Sequence, residues 1–344
     1  MRACFDSSLV LVAVLVGALG TARADSPPSA WDRMRDPDAA NAYRVHVEVQ
    51  RRLTQDGEVG VSSELAALAL LESVSAETSP DVRLRFDLGR VYSMLAPADE
   101  RNYVHAARIL KVALKDAPDH PMAERSWLLL AFACGHLGDH ECERNAYVEV
   151  LRLSTEDVLR ATPMLNLAET QMHLGNLTEA IDDYREALRI AAPVSSEIAP
   201  LAVWGLAVAL DRSGDLVAGE KQAQFAVQLE RSMGLRPASG RGVSALLHAP
   251  EVVFFVPAYE IYWYDGLGAS AIARSTTKPS EAARLWRLAE QSFAAYLQAS
   301  EGRDRWAEIA RARLAAAKVE RAKAERRMKR EPRPSATNED DATL

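Results

Sequence analysis

The residues best suited to chemistry in this 344-residue chain gather in one stretch, Cys134-Gly-His136-Leu-Gly-Asp-His140-Glu-Cys142. Two thiols and two imidazoles within nine residues are the soft and borderline ligands that hold Zn2+. The spacing C-x-H-x3-H-x-C is not a common zinc motif, and no metal is assigned to it. Cys134 and Cys142 are also the only cysteines after Cys4. In an oxidising compartment an even pair points to a disulfide. Packed antiparallel helices can bring two Cα atoms within the ~4.4–6.8 Å that a bridge requires. Three readings stand side by side: a bridge over a short loop, two buried free thiols, or a metal site.

Other chemistry is scarce. No nucleophile elbow, HExxH helix, phosphate-binding loop or carboxylate pair occurs in a recognisable context, so neither a catalytic residue nor a cofactor is expected. Gly266-Leu267-Gly268-x2-Ala271 follows an aromatic run (Phe254, Phe255, Tyr259, Tyr262, Trp263, Tyr264) and could be taken for a dinucleotide fingerprint. A true fingerprint sits in a strand–helix–strand unit with an acidic residue about 20 positions on. Here a polar turn, Ser275 to Pro279, and another helical pattern follow instead. A net charge of −7 argues against a nucleic-acid partner, because phosphate contacts need a basic footprint.

The elements that must position the cysteine stretch recur along the chain. Trp127, Leu130, Ala131 and Cys134 precede Gly138-Asp139, with Tyr147 and Val150 after it; Leu167-Ala168 precede Gly175-Asn176, with Ala180, Tyr184, Ala187 and Leu188 after it. In both copies Gly follows Leu by eight residues and Tyr follows Gly by nine. This is a repeated helix–turn–helix unit. Gly-Asp and Gly-Asn supply a turn that tolerates positive φ, and a small Ala lets two helix backbones approach. Leu206-Ala207 with Gly214-Asp215 continues the spacing downstream, with Gly219 as its small residue. Leu88-Gly89-x2-Tyr92 with Ala106-x3-Leu110 precedes it upstream, its turn near 96–101 extended. Leu267-Gly268 with Ala289-x3-Phe293 reads as a last copy, with an insertion around 275–280.

The pattern resembles the tetratricopeptide repeat, W-x2-L-G-x2-Y then A-x3-F then P. Trp127-x2-Leu130-Ala131-x2-Cys134 fits its first half, and Ala180-x3-Tyr184 with Pro193 fits its second. The resemblance, to the exported bacterial kind, covers about residues 81–300 and implies an all-α, right-handed solenoid of helical hairpins that binds proteins or peptides and does no chemistry. It further implies that the first helix of each hairpin lines a concave face. Carried over by alignment, that lining is Phe86 and Arg90; Leu128, Phe132 and His136; Leu165, Glu169, Met172 and His173; Trp204, Val208 and Arg212; and Tyr262 with Asp265. An external segment could dock there on Phe132, Met172 and Trp204, or the chain's own 231–257 loop could fill the groove. Some of the set could instead be core, since a one-residue error turns a helix by about 100°.

The flanks complete the layout. Residues 1–24 read as a secretory signal peptide: Arg2, an apolar run from Leu9 to Leu19, and an Ala22-Arg23-Ala24 cleavage site. This places the mature chain in the periplasm or cell envelope of a bacterium. Residues 25–37 are a Pro/Ser-rich lead-in. Residues 38–80 form a divergent hairpin, with Ala42, Val45, Val49 and Leu53 on one face of its first helix and Leu65, Leu68, Leu71 and Val74 on its second. Residues 301–330 are a capping helix with an apolar stripe of Trp306, Ile309, Ala310, Leu314 and Ala317. Its basic end is a solvated helix terminus rather than a membrane contact, and 331–344 is a disordered acidic tail.

Overall fold

The computed structural model describes residues 27, 29–54, 61–194, 197–237, 242–249, 253 and 255–330. The signal segment, the turn at 57–60, the acidic tail and part of the 231–257 loop lie outside these residues. The described residues form fourteen α-helices: α1 Ala30–Arg35, α2 Pro37–Thr54, α3 Val61–Ser73, α4 Val82–Leu95, α5 Arg101–Asp116, α6 Ala123–His136, α7 His140–Leu153, α8 Asp157–Leu174, α9 Leu177–Ala191, α10 Ile198–Arg212, α11 Leu216–Ser232, α12 Ile261–Ser275, α13 Pro279–Ala299 and α14 Ala307–Arg330. No strand occurs among them. The architecture is an all-α solenoid in which α2/α3, α4/α5, α6/α7, α8/α9, α10/α11 and α12/α13 pack as successive pairs and α14 closes the end along α13.

Three of the reversals are built alike. Gly138, Gly175 and Gly214 hold φ of +69°, +86° and +93°, in the left-handed region open to glycine. In each, the residue after glycine donates its N–H back into the preceding helix: Asp139 to Cys134 O (2.9 Å), Asn176 to Gln171 O (2.9 Å) and Asp215 to Leu210 O (3.1 Å). This is the Schellman closure of a helix end. Asp139 and Asp215 then cap the next helix by accepting from Cys142 N (3.1 Å) and Ala218 N (3.0 Å). One residue thus ends one helix and starts another, which fixes the Leu-to-Gly spacing seen in the sequence.

Small residues set how closely paired helices approach. A methyl group on Gly89 would stand 2.5 Å from Leu110 Cδ2 in α5. In the last pair this role falls to Gly266, where a methyl would lie 2.9 Å from the Phe293 ring; Gly268 instead faces Trp204 and Val243. The Leu267-Gly268 alignment is corrected accordingly, and all of Gly266–Ala271 lies inside α12, with no strand before it among the described residues. The insertion expected around 275–280 is likewise absent as a loop. Only residues 276–278 separate α12 from α13, and the added length forms the first turns of the 21-residue α13.

The N-terminal pair buries Ala42, Val45, Val49 and Leu53 as expected, but α3 turns differently: Glu64, Ala67 and Leu71 are buried while Leu65 is exposed. The residues expected as lead-in include the short helix α1, and the C-terminal helix begins at Ala307 after a left-handed turn at Glu301 and Gly302. Both Glu64 carboxylate oxygens are buried without a hydrogen-bond partner, and burial raises its pKa. A group whose folded pKa lies above its unfolded value contributes most at low pH, and that contribution is lost as pH rises through the folded pKa. We therefore expect Glu64→Leu to stabilise the chain by about 1–3 kcal/mol at pH 8, the scale of one orphaned buried polar group. The gain shrinks toward pH 4, as measured by denaturant melts across that range.

Candidate functional site

The cysteine stretch forms the α6–α7 reversal. Cys134, in the last turn of α6, is fully buried, and Cys142, in the first turn of α7, is half-buried. Their Sγ atoms are bonded, with the Cα atoms 5.8 Å apart. Asp139 is the third group beside them, all three donor atoms lying within 4.8 Å of one another. The two histidines point elsewhere. His136 stacks on Tyr103 of the preceding pair with ring centroids 4.2 Å apart, and its burial lowers its pKa. His140 stacks on His173 of the next pair at 4.8 Å and contacts Glu143 at 2.9 Å. The four residues of the CGHLGDHEC stretch therefore do not converge on one point. The imidazoles join neighbouring hairpins instead. Burial opposes charging His173, yet Glu169 at 3.8 Å raises its pKa overall.

The fourteen side chains expected on the binding face divide into two groups. Phe132, His136, Leu165 and Glu169 are partly exposed, His173 is mostly buried with 12% of its side chain exposed, and Tyr262 is exposed. Phe86, Arg90, Leu128, Met172, Trp204, Val208, Arg212 and Asp265 are buried, so they offer no accessible surface, which corrects Met172 and Trp204 as docking anchors. The cause is coverage by the chain itself. Phe86 lies under His120 with ring centroids 5.3 Å apart. Val243 and Leu247 of the 231–257 loop pack in one core with Trp204. Arg212 sits between the rings of Trp263 and Trp306, at 4.6 and 5.2 Å, and donates to Glu260 at 2.6 Å.

Buried carboxylates hold this covering segment in place. Glu230, at the end of α11, accepts from Trp204 Nε1 (2.7 Å), Ser244 Oγ (2.5 Å) and Ala245 N (2.8 Å). Asp265 of α12 accepts from Val243 N at 3.2 Å and contacts His248 Nε2 at 3.0 Å. From the far end, Arg313 of α14 donates to Asp211 and, at 2.8 Å, to Glu220, while Trp263 Nε1 donates to Asp211 at 2.9 Å. The C-terminal portion of the first-helix face is thereby sealed.

The middle portion differs. First helices pack directly on one another at α2/α4, α4/α6, α8/α10 and α10/α12, and α6 and α8 make no comparable contact. Their backbones lie farther apart there, and side chains fill the space: Leu128 and Phe132 of α6 join Met164, Leu165 and Leu167 of α8 in one core, with His136, Glu169 and His173 on the same two helices. Arg125, in the first turn of α6, was missed by alignment to the apolar pattern. A cation in a helix's first turn opposes the helix dipole, and that irregularity was visible in the sequence.

Two outcomes follow. Glu230→Ala leaves two buried N–H donors and one hydroxyl unpaired, at a cost on the order of 3 kcal/mol. Limited proteolysis should then cut within residues 235–249 faster than in the parent chain. Alkylation of the purified chain without reductant should label neither Cys134 nor Cys142, and Cys142→Ser should cost about 2–3 kcal/mol by loop-closure entropy. Two labelled thiols would show that no bridge forms.

A family model for the tetratricopeptide repeat matches residues 161–193, which span α8 and α9. No curated protein matches the chain in sequence. Similar solved structures include MamA of strain AMB-1, at 18% identity over 55% of this chain and 99% of that one with a TM-score of 0.43. Another is a signal-transduction ATPase with a tetratricopeptide repeat sensor from Pyrococcus horikoshii, at 17% identity over 86% and 42% with a TM-score of 0.44. A third is a Rap protein complexed with competence and sporulation factor, at 12% identity over 93% and 97% with a TM-score of 0.42. With the repeat matched at α8–α9 and the same reversal built at three successive pairs, this is a TPR-like helical-repeat protein.

Proposed function

We propose that the chain is an exported, non-catalytic scaffold that binds a protein or peptide segment on the α6 and α8 part of its first-helix face. One observation carries the reading. Phe132, Leu165 and His136 are partly exposed on α6 and α8, the two consecutive first helices whose backbones approach least closely. Partly exposed aromatic and aliphatic side chains on one face suit contact with the anchoring residues of a partner. Export rests on the signal-like residues 1–24. No helix among the described residues is long and apolar enough to cross a membrane.

A second reading has its own support. The 242–249 segment lies over Trp204, so the repeats could serve an envelope assembly chiefly as structure, with their groove filled from within. The two readings differ at α6 and α8. Pull-down from envelope extract with the mature chain should recover a partner that Phe132→Ala or Leu165→Asp weakens at least tenfold, while Glu230→Ala leaves it bound. Retention by both groove variants would leave the structural reading. Fractionation with N-terminal mass analysis tests export, and an intact Met1–Ala24 in the cytosol would contradict it.

A further inference from the structure

Many cations on the outside of this chain are matched within their own helix. Arg152 pairs with Glu149, Arg185 with Asp182, Arg189 with Glu186, Arg311 with Glu308 and Lys323 with Glu320, each acid standing three residues before its base. The pattern stops at Glu325. Arg326, Arg327, Lys329 and Arg330 close α14, all exposed and without an ion pair to any described carboxylate. Lys323 with Arg327, and Arg326 with Arg330, are like charges four residues apart, a spacing that destabilises a helix. The helix dipole favours cations in this last turn and offsets the repulsion, so taken alone the run is a solvated helix end.

Helix α13 changes that reading. It packs along α14, and its N-terminal half lies beside the basic end. A groove of about 200 Å3 opens between them, with Ser280, Ala283, Arg284 and Arg287 on one wall and Glu325, Met328 and Lys329 on the other. The dipole of α14 does not account for Arg284 and Arg287, which belong to the wrong half of α13 for it. Arg284 is also unpaired, although Glu281 stands three residues before it. Glu325 is the carboxylate in the groove, and it is already met by Arg287 at 3.5 Å and Arg321 at 3.7 Å. Apolar atoms lie between the cations: Ala283 is buried at the groove and Met328 is 41% exposed. Three cations around an apolar strip, in a chain of net charge −7, suit a phosphate ester that carries hydrocarbon. A long polyanion would also run along the acidic remainder of the chain, whereas a membrane surface meets this tip alone.

We propose that the α13–α14 groove binds the headgroups of anionic phospholipids, so that this end of the stack rests on a membrane surface. Arg284, Arg287 and Lys329 take the phosphate, and Met328 lies toward the acyl boundary. Arg326, Arg327 and Arg330 add an attraction that reaches about one Debye length, ~8 Å at physiological salt. The contact is peripheral, since no described helix is long and apolar enough to cross a membrane. It lies on other helices than Phe132 and is independent of the peptide-binding reading.

The test is co-sedimentation of the mature chain with vesicles of phosphatidylcholine alone and of phosphatidylcholine with about one-third phosphatidylglycerol. The parent chain should favour the anionic vesicles at least tenfold, and about 0.5 M NaCl should release it. Together, Arg284→Gln, Arg287→Gln and Lys329→Gln should lower retention at least tenfold with an unchanged unfolding midpoint, because all three side chains are exposed. Arg284→Lys with Arg287→Lys should keep most of it, as should Arg185→Gln with Arg189→Gln on α9. Equal retention on both vesicles, or full retention of the triple glutamine variant, would overturn the assignment. Titration with tripolyphosphate separates a soluble anion from a lipid: saturable binding of it by a chain that sediments with neither vesicle also overturns the proposal. The chain's own Glu339, Asp340 and Asp341 are the competing anion. Sedimentation seen only with Glu339→Gln, Asp340→Asn and Asp341→Asn would make that segment the occupant instead.

Discussion

A two-helix hairpin cannot bury both of its apolar faces, and every feature of this chain answers to that constraint. Each pair covers one side internally and leaves the other to a neighbour, so stability is collected at interfaces between successive pairs. The apolar interior is correspondingly segmented. One cluster joins α2, α3 and α4, one is centred on α5, α6 and α7, and one runs from the second half of α8 to α14. Leu165 and Leu188 touch the two larger clusters. The stack needs covers at its ends, and α14 supplies one of them.

The two regions of the first-helix face handle buried charge alike. Around Trp204 the chain spends polar groups freely but pairs them: Glu230, Asp265, Asp211 and Arg313 each meet partners on other segments. Arg90 and Arg125 near the middle, and Arg212 and Arg313 at this end, all keep guanidinium nitrogens buried without an acceptor, so the carboxylates are the fully engaged partners in both regions.

Much of the architecture was legible in the sequence because the reversals are local. A glycine with positive φ followed by Asp or Asn specifies both the helix end and the next cap, so Gly138, Gly175 and Gly214 could be placed from spacing alone. The α2 face was equally plain, since Ala42, Val45, Val49 and Leu53 follow helical period. The binding face was less so. Whether Trp204 or Arg212 meets solvent depends on Val243, Glu260 and Trp306, which lie 31 to 102 residues away in sequence from one or the other, and periodicity carries no information at that range. Gly268 was misassigned for the same reason, because its neighbour is the covering loop rather than the second helix.

The seam at Leu165 and Leu188 has a mechanical consequence. The second cluster reaches past it through Met164 and Leu167 of α8, Ala187 and Ile190 of α9 and Ala202 of α10, while the third already begins at Ala168 and Met172 of α8. The two interiors therefore overlap on the α8/α9 pair, and that pair is a splice: a load applied at either end of the array passes through it from one interior to the other.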